Sequence, residues 1–269
     1  MTDAESKGRI TVEVVGGVAA VLIDNPEHKN AVTKPMLQEL QALMPRLDAD
    51  PDVTLITLRG VGDTFSAGAA IDDLTSVLLD RQDDGSQVDH LSLADAAIAS
   101  VRKPTIALVD GACMGGGWQL ASACDFMLAS ERSVFAITPA KIGVIYPRAG
   151  IERLVRQVGP ANAKFILFGG EAFGAMRARQ LRLVTEVIPD DEFERRVDAL
   201  VHTILNRSRF SIHTLKHLID VGQPTDHDID QFWEDAWTNM ADGPDMAIGV
   251  IAFLNRERPR FAWQPDQDS

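Results

Sequence analysis

Hydrophobic and polar positions change period several times along the chain. Ile10–Val15 and Val18–Ile23 are β-branched runs on either side of Gly16-Gly17, which predicts a hairpin that Asn25-Pro26 ends. From Thr33 the apolar residues recur at helical spacing to about Leu47, with Thr33 placed to cap the helix and Pro35 in its first turn. Val53–Leu58 predicts a strand closed by Gly60, followed by a glycine-bearing loop, Thr64–Ala70. The polar stretch Asp80–Asp89 reads as a mobile loop that leaves His90 in solvent, ahead of a helix from Ser92 to Val101. A strand, Thr105–Val109, then leads into a glycine-rich turn, a helix, a strand at Asp125–Ala129 and a short one at Val134–Ile137. From Ile151 the pattern is helical apart from Val184–Ile188, and after Asn206 it is helical throughout: Ile212–Val221, Asp228–Met240 and Asp245–Arg256. Strands alternating with helices and then a helical tail predict an α/β core over residues 1–206 and a helical C-terminal region over 207–269. Phe232, Trp233 and Trp237 in that tail are candidates to pack on a neighbouring subunit.

Composition narrows the function classes. With 269 residues, 45% apolar and 24% charged, the chain can bury a sizeable core. A net charge of −13 and a pI of about 4.8 argue against nucleic acid and against an anionic membrane surface as partners, though a few local cations can still hold a small anion. Cys113 and Cys124 match no metal spacing and read as buried packing residues in a reducing compartment, so the expected location is cytoplasmic and no metal is expected. The first ten residues contain no apolar stretch of the secretory type, and no apolar run approaches a membrane span.

The candidate chemistry lies in two loops of one design, each leaving a strand through small residues and opening a helix. The first is Phe65-Ser66-Ala67-Gly68-Ala69-Ala70-Ile71, the second Gly111-Ala112-Cys113-Met114-Gly115-Gly116-Gly117 with Trp118 and Gln119 behind it. Small side chains let a ligand reach the backbone, and amides at a helix start are free to donate toward negative charge. Two such amides aimed at one oxygen form an oxyanion hole. The spacing is not the G-x-G-x-x-G of a dinucleotide site, which sets flavin and nicotinamide chemistry aside.

In this order, and followed by Cys124-Asp125, the two loops resemble the enoyl-CoA hydratase/isomerase (crotonase) superfamily. Asn25-Pro26 and Lys29-Asn30-Ala31 are similar to its first-strand exit, and Ala252–Pro259 to its C-terminal helix. The resemblance implies a spiral of ββα turns, C-terminal helices that build trimers or pairs of trimers, and an acyl-CoA thioester as substrate. No separate cofactor is implied, since coenzyme A enters as part of the substrate. It places the oxyanion donors at the N–H groups of Ala69 and Gly116, with Ala67, Ala70, Ile71 and Gly115 around the substrate. Lys29 and Arg256 match positions that meet the anionic CoA moiety.

The chain departs from the family where proton transfer is done. Gln119 and Pro139 stand where hydratases carry two glutamates, and neither exchanges a proton near neutral pH. Ordinary syn-hydration therefore lacks both partners. The stretch Thr138-Pro139-Ala140-Lys141-Ile142-Gly143-Val144-Ile145-Tyr146 resembles the family's methylmalonyl-CoA decarboxylase, which implies roles at the acyl group for Thr138 and Tyr146. It is similar, less closely, to the family's naphthoate synthase, which borrows a bicarbonate as base. Three readings stand at this level: an acyl-CoA enzyme of the hydratase/isomerase type, a malonyl-type decarboxylase, and a catalytically silent acyl-CoA-binding subunit.

Overall fold

The computed structural model describes residues 8–221 and 227–264. Contacts divide the chain into two compact units, one comprising the residues up to Val101 with Thr105–Val197, the other Arg102–Pro104 with the residues from Asp198. The first unit holds β1 (Arg9–Val15), β2 (Val18–Asp24), α1 (Lys34–Ala49), β3 (Leu55–Gly60), α2 (Leu74–Leu78), β4 (Asp80–Arg81), β5 (Gln87–Val88) and α3 (His90–Ala99). It continues with β6 (Thr105–Val109), β7 (Ala112–Met114), α4 (Gly116–Ser122), β8 (Phe126–Ser130), β9 (Val134–Ala136), α5 (Arg148–Gly169), β10 (Phe173–Gly174), α6 (Ala175–Gln180) and β11 (Glu186–Ile188). The helix α7 (Phe193–Leu205) carries the division, and α8 (Arg209–Val221), α9 (His227–Asp242) and α10 (Pro244–Asn255) belong to the second unit.

Six strands form one sheet in the order β1-β2-β3-β6-β8-β11, antiparallel only at the β1/β2 hairpin, where Val15 pairs with Val18. Three more form a second sheet, β10-β9-β7. β6 lies in the first sheet and its successor β7 in the second, and β8 and β9 repeat that step. The turns of this spiral lie side by side, so corner residues far apart in sequence become neighbours. Val32 bridges Ala69, Ser66 bridges Cys113, and Cys113 pairs with Phe135. The core follows from the same periodicity: α1 buries Met36, Leu37, Leu40, Met44 and Leu47, one stripe at helical spacing. Each such side chain contributes about 1.5–3 kcal/mol by leaving water. Both cysteines are free and buried, and burial pushes the Cys113 thiol well above its ordinary range, which keeps it protonated and inert. Among the described residues no helix is long and apolar enough to cross a membrane.

Four local expectations are corrected. Asp80–Asp89 is not an open loop but contains a short antiparallel hairpin, Asp80 pairing with Val88 and Arg81 with Gln87. His90 is not solvated. It is buried as the first residue of α3, with Nε2 2.9 Å from Asp80 Oδ2, and Asp80 also accepts Lys34 Nζ at 2.6 Å. These hydrogen bonds, that of His90 first and Lys34 next, hold the Asp80 carboxyl down to about 2. It therefore stays ionised through neutral pH and ties the hairpin to α1 and α3. The helix begins earlier than Ser92 because Asp89 is its cap, accepting Ser92 N–H at 3.0 Å. Thr33 sits at the start of α1 without a side-chain cap bond. The Asp73 carboxylate instead takes the Lys34 amide at 3.3 Å.

Candidate active site

The two small-residue loops meet because Ser66 stitches them together. Ser66 N–H donates to Ala112 O and Met114 N–H to Ser66 O, both at 2.9 Å. Gly117 passes so close that a Cβ there would lie 2.7 Å from the Ser66 Cβ. Behind the first loop, Asn30 is fully buried and completely bonded: its amide nitrogen donates to Val61 O and Thr64 O, and its oxygen accepts Asn25 N–H. That is the physical reason for the Asn pair in the first-strand exit, since a buried amide left unbonded would be costly.

The backbone then leaves one unpartnered donor from each loop at the point where the loops meet. From Ser66 to Ala70 every amide is taken except one: Ala67 N–H donates to Lys29 O, Gly68 N–H to Ser66 Oγ and Ala70 N–H to Val32 O. Ala69 N–H has no acceptor among the described residues. In the second loop Gly115 N–H is taken by Ala136 O, and the first helical bond of α4 runs from Gln119 N–H to Gly115 O. Gly116 N–H, at the first position of α4, has no acceptor among the described residues. The two free amides are adjacent: a Cβ built on Gly116 would stand 3.1 Å from Ala69 N, and one on Gly68 3.4 Å from Gly116 N. Gly68 at φ +102° and Gly115 at φ +44° supply the positive-φ backbone that immediately precedes each of these amides.

These amides border a cavity of about 130 Å³. Of the sequence-predicted residues, Ala67, Ala69, Ile71, Gly115, Gly116, Thr138 and Tyr146 line it. Leu74 and Leu78 of α2, Leu91 of α3, Met114, Ile142 and Ile145 complete an apolar wall, and Ile71 and Ile145 stand exposed. Sequence reading missed the leucines. Their only signal was helical spacing, which says buried but not against what.

Other predicted residues lie elsewhere. Lys29 is exposed and serves the first loop through its carbonyl, and Ala70 spends its amide on Val32. Arg256 belongs to the second unit, in a left-handed conformation just past α10. Gln119 does not line the cavity. It is fully buried with both amide atoms unpartnered, and its Cδ would lie 3.4 Å from a Cβ on Gly150.

Tyr146 is buried against Trp118, ring centroids 6.2 Å apart, and its hydroxyl donates to Gly115 O at 2.7 Å. Burial foremost pushes that hydroxyl well above its ordinary range, the Asp95 carboxylate adding in the same direction, so it remains a neutral donor. The carbonyl it grips belongs to the same peptide unit as Gly116 N–H. No carboxylate, imidazole or amine lines the cavity, and among the described residues no three His, Cys, Asp or Glu side chains gather as a metal site would need.

The sequence profile of the enoyl-CoA hydratase/isomerase family matches residues 13–264. The chain belongs to the enoyl-CoA hydratase/isomerase family. Its α/β architecture is the crotonase fold. It superposes on the crystal structure of an enoyl-CoA hydratase/isomerase family member with a TM-score of 0.94 at 60% identity, covering 97% of this chain and 98% of that one. A crotonyl-CoA hydratase of Syntrophomonas wolfei is 29% identical to this family member over 255 residues, 94% of this chain and 97% of the hydratase. A peroxisomal Delta(3,5)-Delta(2,4)-dienoyl-CoA isomerase of Arabidopsis thaliana is 28% identical, again covering 94% and 97%. Membership in the enoyl-CoA hydratase/isomerase family sets the chemistry at the level of acyl-CoA thioesters.

Proposed function

We propose that the protein binds an acyl-CoA thioester with its carbonyl oxygen on Ala69 N–H and Gly116 N–H, and catalyses decarboxylation of a malonyl-type acyl group. One observation carries this reading: the cavity offers the unpartnered amides of Ala69 and Gly116 but no side chain that gives or takes a proton near neutral pH. Decarboxylation suits such a lining. The C–C bond electrons move toward the thioester, CO₂ leaves, and the enolate forms on an oxygen already facing two donors. No protein base is needed for that step. A glutamate beside the departing carboxylate would repel it, whereas Pro139 in the lining and Gln119 behind it do not. The apolar wall keeps water off the reacting carboxylate.

Tyr146 is then a positioning residue. Its hydroxyl holds the Gly115 carbonyl, which fixes the Gly116 N–H direction and polarises that peptide. Tyr146→Phe keeps the ring and loses the bond. It is expected to lower kcat about fivefold, the worth of one hydrogen bond of roughly 1 kcal/mol, with KM for the thioester unchanged. A purely packing role would leave kcat where it was. In the second unit, α10 exposes Val250, Ile251, Phe253 and Leu254, and these support self-association as a trimer or a pair of trimers.

The deciding experiment is a substrate panel. CO₂ release from malonyl- or methylmalonyl-CoA is expected, with negligible hydration of crotonyl-CoA and no shift of the double bond in a 3-enoyl-CoA. Fast crotonyl-CoA hydration would overturn the reading. Thioester binding without turnover of any panel member would make the chain a silent acyl-CoA binder.

A further inference from the structure

The second unit contains a larger cavity, about 630 Å³, between the approach to α8 and the segment that follows α10. Arg207 and Arg209 line one side, Arg258 and Arg260 the other, against a single acid, Glu257. The chain as a whole has 39 acidic residues and 26 lysines and arginines, so this concavity inverts the balance of the molecule. None of the four guanidiniums has a carboxylate partner among the described residues, and Arg209 donates only to the Gln264 side-chain oxygen, at 3.3 Å. Four like charges around one hollow repel one another unless an anion is shared among them.

The hollow is also built rather than incidental. The buried Asp245 carboxylate ties its two walls together. Oδ2 accepts Ser208 Oγ–H at 2.5 Å, between the two arginines of the first wall, while Oδ1 accepts the amides of Ala262 and Trp263 in the second at 2.9 and 3.1 Å. Trp263, which lines the cavity, is wedged edge-on against Phe210 and His213 of α8. The positive end of α8 opens at the same place and adds to the field.

We propose that this cavity binds a ligand carrying linked phosphates. Planar guanidinium forks match phosphate oxygens in pairs, and the volume exceeds what one phosphate fills. The shared chemistry is a pyrophosphate group, supplied by the nucleotide end of a CoA thioester or by a separate polyphosphate.

Calorimetric titration of the full chain with inorganic pyrophosphate tests it, with CoA and phosphate-free pantetheine as parallel ligands. Saturable pyrophosphate binding is expected, weaker at high salt and about tenfold or more weaker in Arg258→Gln/Arg260→Gln with the melting temperature unchanged. Arg207→Gln, on the opposite wall, is expected to weaken it independently. Competition between CoA and pyrophosphate, with pantetheine inert, assigns the group to the thioester. Simultaneous binding of CoA and pyrophosphate assigns it to a separate ligand. No saturable pyrophosphate binding, or binding unchanged in the arginine variants, overturns the proposal.

Discussion

Replacing Gly116 with alanine is expected to lower kcat/KM about 10²–10³-fold on the thioester the protein turns over, the size of effect seen when one oxyanion donor is lost. The fold should survive. Alanine is the better helix former, and the nearest side-chain atoms to the new Cβ are the flexible Leu91 methyls at 3.3 and 3.5 Å. What the methyl cannot avoid is Ala69 N at 3.1 Å. It occupies space beside the Ala69 amide, where the proposed reading seats the thioester oxygen. Steady-state kinetics beside a thermal melt separate the two effects. Unchanged kinetics in a well-folded variant would remove Ala69 and Gly116 as the oxygen's partners.

The second large effect concerns stability. Gly60→Ala is expected to cost more than about 4 kcal/mol, lowering the melting temperature by about 10 °C or abolishing soluble expression. The added Cβ would stand 2.1 Å from Thr64 O and 2.3 Å from Phe65 O, both backbone, and 2.7 Å from Asn30 Nδ2. Asn30 is the hub that holds Val61 and Thr64, so displacing it releases the first loop. Gly174→Ala is the control: its φ is −77° and nothing lies within 4 Å of the new Cβ, so its melt should match the parent. Equal melts for Gly60→Ala and the control would show that the first loop does not depend on this close approach.

Local patterns in the chain were largely legible. The strand Thr105–Val109 is found as its β-branched run predicts, and the Gly16-Gly17 hairpin closes with both glycines at positive φ. The two loops were recognisable as partners because their small residues follow a common strand-loop-helix design. Non-local chemistry was not legible. His90 follows a polar stretch, and only the fold brings Asp80 and Lys34 to it. The resemblance of Thr138–Tyr146 to the family's decarboxylase implies a place for Tyr146 at the acyl group, but the target of its hydroxyl depends on where the turn after β9 crosses α4. Gln119 is similar, since its position relative to the glycines is plain in sequence while its burial behind Tyr146 and Gly150 is set by α5 packing over it. The Arg207–Arg260 grouping joins two segments far apart in the chain and has no signature in either segment alone.

The lack of a side chain in the cavity wall that exchanges a proton near neutral pH bears on stereochemistry. An enolate formed there finds no resident acid to quench it, so its hydrogen must arrive with solvent. The exposed isoleucines Ile71 and Ile145 border the cavity. On the proposed reaction, a prochiral product takes its handedness from the direction in which water reaches the carbon, so a face is selected by shape instead of by a dedicated donor.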